Sequence, residues 1–245
     1  MLLRIRVRLP DRPGSLGKVA RILGVAGADV VQMAVLEHDG GRALDDFTVA
    51  WPSGAGIDRL CDGLASIPGV EIEGVWPTVE PQGAFPDAAL VGQLAANPDR
   101  ALVILADAVP NILSADWAGL LRVTPGEATL VHTSLGVFAD IEVPEVYPLR
   151  PRSFTSQDGT QYAVAPIGGE YSVSGDGQPV PSAAPRGQLA ILVARTAAPQ
   201  FHRTEVFRLA QLVSAAEAVL DDRLGLMAAA VEAVAVVPTD ATGAS

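Results

Sequence analysis

The sequence predicts two α+β modules in tandem, and three observations point to this. Over about the first eighty positions the apolar spacing switches repeatedly between two and 3.6 residues, the periods of a half-buried strand and an amphipathic helix. From Thr78 to Pro86 that pattern stops, and Pro81, Gly83 and Pro86 mark a linker. A second set of helical and alternating segments then runs to one long amphipathic helix near the end of the 245 residues.

In the first module, Leu3, Ile5, Val7 and Leu9 alternate over residues 2–9 and predict a strand. Asp11-Arg12-Pro13-Gly14-Ser15 follows, with Asp11 suited to cap a helix and Pro13 to its first turn. Leu16, Val19, Ala20 and Leu23 recur at helical spacing, and Gly27 is a stop signal. Residues 29–37 and 43–51 read as strands around the turn His38-Asp39-Gly40-Gly41. Ile57, Leu60, Cys61 and Leu64 form a second helical stripe, ended by Pro68-Gly69, and Val70 to Trp76 is a fourth strand. The order βαββαβ places two helices on one face of an antiparallel sheet, a ferredoxin-like sandwich. Residues 1–78 are therefore expected to be a domain that folds by itself, and residues 79–86 its linker.

The second module spans residues 87–237. Helices are expected over 87–96 and 99–113, broken at Asn97-Pro98 and bent at Pro110. Residues 117–123 and 128–134 form a hairpin around Pro125-Gly126, and 161–167 and 188–195 are further strands. The Pro/Gly/Ser-rich stretches 148–160 and 168–187 read as long loops. Residues 202–222 form the strongest helix, with Val206, Leu209, Ala210, Val213, Glu217 and Leu220 along one stripe. Phe207, Leu212 and Val219 fall outside that stripe and suggest a second buried surface, hence a homodimer. Residues 238–245 are expected to be a disordered tail.

Charge and chemistry exclude more than they assign. A net charge of -11 repels phosphate backbones, so nucleic acid is not an expected partner. Cys61 is the only cysteine, which rules out an internal disulfide or a thiolate cluster. The N-terminal strand lacks the unbroken apolar stretch of a signal peptide. The longest apolar run, Leu224 to Val237, is short and carries Glu232, so the reading is cytoplasmic with no membrane partner. His132-Thr133-Ser134-Leu135-Gly136 misses the nucleophile elbow because histidine stands where glycine is needed, and Gly17-Lys18 lacks the first glycine of a phosphate loop. His38, His132 and His202 fall on three elements without metal-ligand spacing, and Cys61 reads as a core thiol. The pairs Asp45-Asp46 and Asp221-Asp222 read as solvated charge. No catalytic residue, metal or cofactor is predicted.

The segment Asp11-Arg12-Pro13-Gly14-Ser15-Leu16-Gly17-Lys18-Val19, followed by Gly27-Ala28-Asp29-Val30 at the second strand, closely resembles the ACT domain family. The resemblance covers residues 1–78 and implies an allosteric module that binds an amino acid where two such domains pair. The residues themselves suit a zwitterion. Unpaired N–H groups at a helix head can hold a carboxylate, Gly14 permits close approach, and Asp11 and Asp29 can accept from an ammonium. The candidate ligand-binding residues are thus Asp11, Arg12, Pro13, Gly14, Ser15, Leu16, Ala28, Asp29 and Val30.

Residues 86–222 resemble the GAF domain family, related to PAS domains. The likeness lies in Ile112-Leu113-Ser114-Ala115-Asp116 running into Trp117-Ala118-Gly119-Leu120-Leu121, and in Leu189 to Arg195 leading through Pro199-Gln200-Phe201 into the closing helix. It implies a GAF/PAS-like antiparallel sheet flanked by helices, serving dimerisation or signal relay to a downstream protein. The sequence reading is a non-catalytic sensor. Its alternatives are an amino-acid-metabolic enzyme with catalysis in the C-terminal half under ACT control, and an interaction protein that has lost its ligands. Asp11 bonded back to its own helix would favour the last.

Overall fold

The computed structural model describes residues 1–52, 54–78, 85–124, 126–134, 141–168, 171–173, 179–181 and 188–235. The first module comprises β1 (Leu2–Pro10), α1 (Ser15–Val25), β2 (Asp29–Asp39), β3 (Arg42–Ala50), α2 (Ile57–Ala65) and β4 (Glu71–Thr78). Its antiparallel sheet has the order β2-β3-β1-β4, so the first strand is central and pairs with both β3 and β4. This is the ferredoxin-like arrangement. Two residues, Gly40 and Gly41, join β2 to β3 with φ of 56° and 74°. Positive φ at both central positions is the type I′ geometry that matches strand twist, and glycine adopts it without steric cost.

Strand alternation sorts β1 into two chemistries. Leu3, Ile5, Val7 and Leu9 pack with Phe47 and Val49 against Val19 and Leu23 of α1 and Leu60 and Leu64 of α2. Arg4, Arg6 and Arg8 leave the opposite face. The edge strand β2 is the exception to burial, with Val30, Val31, Met33 and Val35 exposed.

The second module comprises α3 (Pro86–Ala96), a 3-10 turn at Pro98–Arg100, α4 (Ala101–Leu113), β5 (Trp117–Thr124), β6 (Glu127–Thr133), β7 (Arg152–Thr155), β8 (Gln161–Ile167), β9 (Tyr171–Val173), β10 (Pro179–Pro181), β11 (Gln188–Arg195) and α5 (Arg203–Ala235). Five strands form an antiparallel sheet of order β6-β5-β11-β8-β7, and β9 pairs with β10 in a separate two-stranded sheet. Helices cover one face, where Leu120, Ala165, Ile191 and Val193 meet Leu94, Leu105, Leu209 and Val213. On the other face Leu121, Val164 and Leu192 lie with Val146, and Val143 and Leu149 pack on them from the segment between β6 and β7. Buried on both faces, β11 reads Leu-Ala-Ile-Leu-Val-Ala without alternation. The module is a GAF/PAS-like antiparallel sheet flanked by helices.

Several expectations need correction. The stretch 148–160 contains β7 and its turn to β8, and 168–187 contains the β9–β10 pair. Helix α5 does not stop near residue 222 but continues to Ala235, taking in most of the apolar run from Leu224. Pro86 begins α3 rather than ending a linker, as its fixed φ suits a first helical position. Leu212 is buried and Val219 half-buried in the helical core, and of the three residues only Phe207 is exposed. Two of the three residues expected to form a second surface on α5 are therefore covered within the chain. Residues 79–84 of the linker and the tail from residue 238 lie outside the described residues.

The first module is not closed on itself, because the arginine face of its sheet meets the second. Arg6, 1% exposed, grips Asp46 with Nε to Oδ1 at 2.7 Å and NH2 to Oδ2 at 2.8 Å, and reaches Glu205 at 2.9 Å. Arg195, also 1% exposed, donates to both Glu205 oxygens at 2.9 and 3.2 Å and to the carbonyl of Pro199 at 2.9 Å. Trp76 lies 5.5 Å from the Arg6 guanidinium and 5.3 Å from that of Arg195. Burial works against the charge on Arg6, but Asp46 and Glu205 more than reverse it and hold the group protonated. Burial alone would raise the Glu205 carboxyl; Arg195 and Arg6 hold it below its ordinary value. At Gly74 of β4 a Cβ would stand 2.5 Å from Pro199 Cγ, so only glycine lets the modules approach this closely. Glu37 adds a rim contact to His202 at 3.3 Å and another to Arg203.

Candidate functional site

The head of α1 is uncapped and open. Gly14 occupies the cap position, with no side chain bonding the first turn. Ser15 N donates to Arg12 O at 3.1 Å and Lys18 N to Gly14 O at 3.2 Å. That leaves the N–H groups of Leu16 and Gly17 without an intrahelical acceptor, on exposed residues, at the positive end of the helix dipole. Such a head binds an anionic group readily. A Cβ built on Gly14 would meet nothing within 4 Å.

Asp11 does not cap the helix, contrary to expectation. Its backbone N–H donates to Gly41 O at 2.8 Å, which ties the loop to the β2–β3 hairpin. Its carboxylate turns to His38, with Oδ2 at 3.2 Å from Nδ1. Both side chains are exposed. Asp11 is thus a carboxylate at the rim of the helix head and is not consumed by the helix itself.

Asp45 and Asp46 are not solvated charge either, since each is 3% exposed. The sequence treats them as one acidic pair, but consecutive strand residues leave opposite faces. Asp46 joins the arginine network. Asp45 shares the helix-facing side with Ala43, Phe47 and Val49, and its Oδ1 accepts no hydrogen bond among the described residues. Burial raises its carboxyl above the ordinary value, opposed by His38 and reinforced by Asp46 and Asp11.

The structure brings Asp11, Arg12, Pro13, Gly14, Ser15 and Leu16 together and separates them from Ala28, Asp29 and Val30. The 11 residues of α1 rise about 16 Å between the two groups. Asp29 lies opposite Ala50, whereas Asp11 adjoins the hairpin turn at the other end of the sheet. Within one chain, Asp29 cannot share a ligand with Asp11.

Two of the concave regions among the described residues bear on the candidate sites. One of about 610 Å³ flanks α1, lined by Gly14, Gly17, Lys18, Arg21, Ile22 and Ile67. The other, about 570 Å³, lies in the second module between Glu142, Glu145, Phe154, Asp158 and Tyr162. In that region Asp158 is bound into its own turn by Ser156 and Thr160, which hold it below its ordinary value. Phe154 is covered by Tyr162 at 5.3 Å and by the Arg152 guanidinium at 4.3 Å.

The remaining candidates have structural partners. His132 Nε2 lies 2.7 Å from Asp107, and His202 pairs with Glu37. Ser134 extends the β5–β6 ladder, exchanging two hydrogen bonds with Ala118 at 2.9 and 3.0 Å. Cys61 is only half-buried, so it is less than a core thiol, and burial and Asp58 raise it. Among the described residues no group of His, Cys, Asp and Glu is placed to hold a metal, and no helix is long and apolar enough to cross a membrane. Sequence reading missed Arg6, Asp45, Asp46, Arg195 and Glu205. The signal available for Arg6 is the Arg4-Ile5-Arg6-Val7-Arg8 alternation, which puts only arginines on one sheet face.

No family model matches this sequence, and no curated protein matches it. Solved structures give low-level likenesses. The GAF domain of an Acinetobacter phosphoenolpyruvate-protein phosphotransferase aligns over 63% of this chain and 96% of its own, at 11% identity and a TM-score of 0.38. An unknown protein from Galdieria sulphuraria aligns over 91% of this chain and 93% of its own, at 13% identity and a TM-score of 0.29. A formyltetrahydrofolate deformylase from Pseudomonas putida aligns over 39% of this chain at 15% identity and a TM-score of 0.29, and the match spans only 38% of that protein. The fold assignment rests on strand order and packing, not on these neighbours.

Proposed function

We propose that this chain is a non-catalytic sensor of a free amino acid, which binds at the head of α1 and acts through the second module on a downstream protein. The observation that carries the reading is the uncapped, exposed first turn, where the Leu16 and Gly17 N–H groups await an anion beside the Asp11 carboxylate. A carboxylate and an ammonium fit that pairing of charges. Asp11 turned away from its own helix favours a ligand role over a purely structural one. The sequence likeness to ACT domains supports the same placement.

We also propose a homodimer formed through β2. Among the described residues this strand is an unpaired edge, and its apolar residues Val30, Val31, Met33 and Val35 are exposed. Such an edge is a template for pairing with a second chain. Thermal melting of the full chain with each of the twenty amino acids at millimolar concentration tests the ligand reading. A ligand at about one hundred times its Kd stabilises the native state by roughly 2.7 kcal/mol. An unchanged melting temperature with all twenty removes the reading. Light scattering tests the dimer, and Met33→Lys combined with Val35→Lys is expected to give a monomer.

A further inference from the structure

One buried charge on the helix side of the first sheet has no structural employment. Asp45 sits in register between Val7 of β1 and Val35 of β2, among side chains that build an apolar core. A carboxylate there costs stability unless it is paired. Its Oδ1 is buried and unpartnered, while the aspartate one residue later is fully engaged. A valine or threonine would fill the place without that cost. The ionisable groups that act on Asp45 electrostatically are His38, Asp11 and, through the sheet, Asp46. Two of these three groups are carboxylates, so the surrounding favours an added cation.

The neighbourhood also has an apolar wall. Met33 and Val35 lie opposite Phe47 and Asp45 in the β2–β3 register and therefore face the same side. Both are exposed, as is Leu16 in the first turn of α1. Carboxylates beside exposed aliphatic side chains, next to a helix head that takes anions, define a ligand with three parts.

We propose that Asp45 is the ammonium anchor of the site at the head of α1, so that the ligand must carry a protonated amine on an aliphatic skeleton. The proposal rests on the sensor reading above and narrows it. Asp45 supplies the countercharge from the floor, Asp11 shares it at the rim, and the α1 N–H groups take the carboxylate. The ligand's ammonium pairs with a charge that the core around it leaves without a donor.

The test compares wild type with Asp45→Asn and Asp45→Ser as full chains. The probes are each of the twenty amino acids, isoamylamine (leucine without its carboxylate) and 4-methylpentanoate (leucine without its amine). Both variants are expected to melt higher than wild type without ligand, because an unpaired buried charge is gone. They are expected to lose at least ten-fold in affinity for the amino acid that wild type binds, and isoamylamine should stabilise wild type but neither variant. An unaltered ligand shift in the variants, or a lower ligand-free melting temperature with unaltered affinity, overturns the anchor while leaving the sensor reading in place. Stabilisation by 4-methylpentanoate but not by isoamylamine also overturns the anchor. Failure of every amino acid to shift wild type overturns the sensor reading and the anchor together.

Discussion

On the face of the first sheet that meets the second module, Asp46 accepts two charge-assisted hydrogen bonds from Arg6, and Arg6 passes on to Glu205 and Arg195. On the face covered by α1 and α2, Asp45 has the same side chain, the same burial and an oxygen with no donor. One peptide bond separates a satisfied charge from an unsatisfied one. Burial by itself does not decide whether a carboxylate stabilises; the number of donors aimed at it does. The interface side joins the modules through paired charges, and the helix side leaves one carboxylate oxygen without a donor.

The sharpest way to break this contrast is to remove the shared carboxylate of the interface. Glu205→Ala leaves Arg6 and Arg195 buried with one acid between them, and about 3–5 kcal/mol of stability should be lost. Urea denaturation of the full chain measures it. A loss under about 1 kcal/mol would mean that the network is no more than a surface ion pair in effect.

Acidity should separate the two faces by sign. Glu205 is held below its ordinary value, so its contribution persists above the unfolded value near 4.3 and disappears as pH falls through the folded one. Asp45 is raised, so its contribution is present below the unfolded value near 3.9 and is lost as pH rises through the folded one. Stability measured across the acid range should therefore show Asp45→Asn flattening the decline with rising pH, while the loss at the acid extreme remains. Identical curves for variant and wild type would show that burial does not raise the Asp45 carboxyl.

The smallest effect is expected at Phe207, which is 64% exposed on α5. Phe207→Ser should change stability by less than about 0.5 kcal/mol. It should also leave the oligomeric state unchanged if dimerisation uses β2. A monomer produced by this substitution would move the interface back to α5.

The elements of both modules are legible in the sequence because each is dictated locally. Leu3, Ile5, Val7 and Leu9 can share a face only in an extended chain, Gly40-Gly41 permits a tight turn, and the Ala101–Leu113 stripe is continuous enough to survive Pro110. The start of α1 was legible as well, since Pro13 and Gly14 mark it, but its uncapped head was not, since Asp11 is suited to cap it. What spacing does not reveal is which face of a sheet finds a second partner. Arg6 and Glu205 are 199 residues apart, and only the docking of two modules makes them neighbours. For the same reason Asp45 and Asp46 read as one exposed pair, although the sheet sends them to opposite sides. Periodicity sets each strand and helix because those forces act within a few residues. The fate of each buried charge, the separation of Asp29 from Asp11 and the exposure of β2 were decided only when distant segments packed, because a charge is satisfied or stranded by whatever the rest of the chain brings to it.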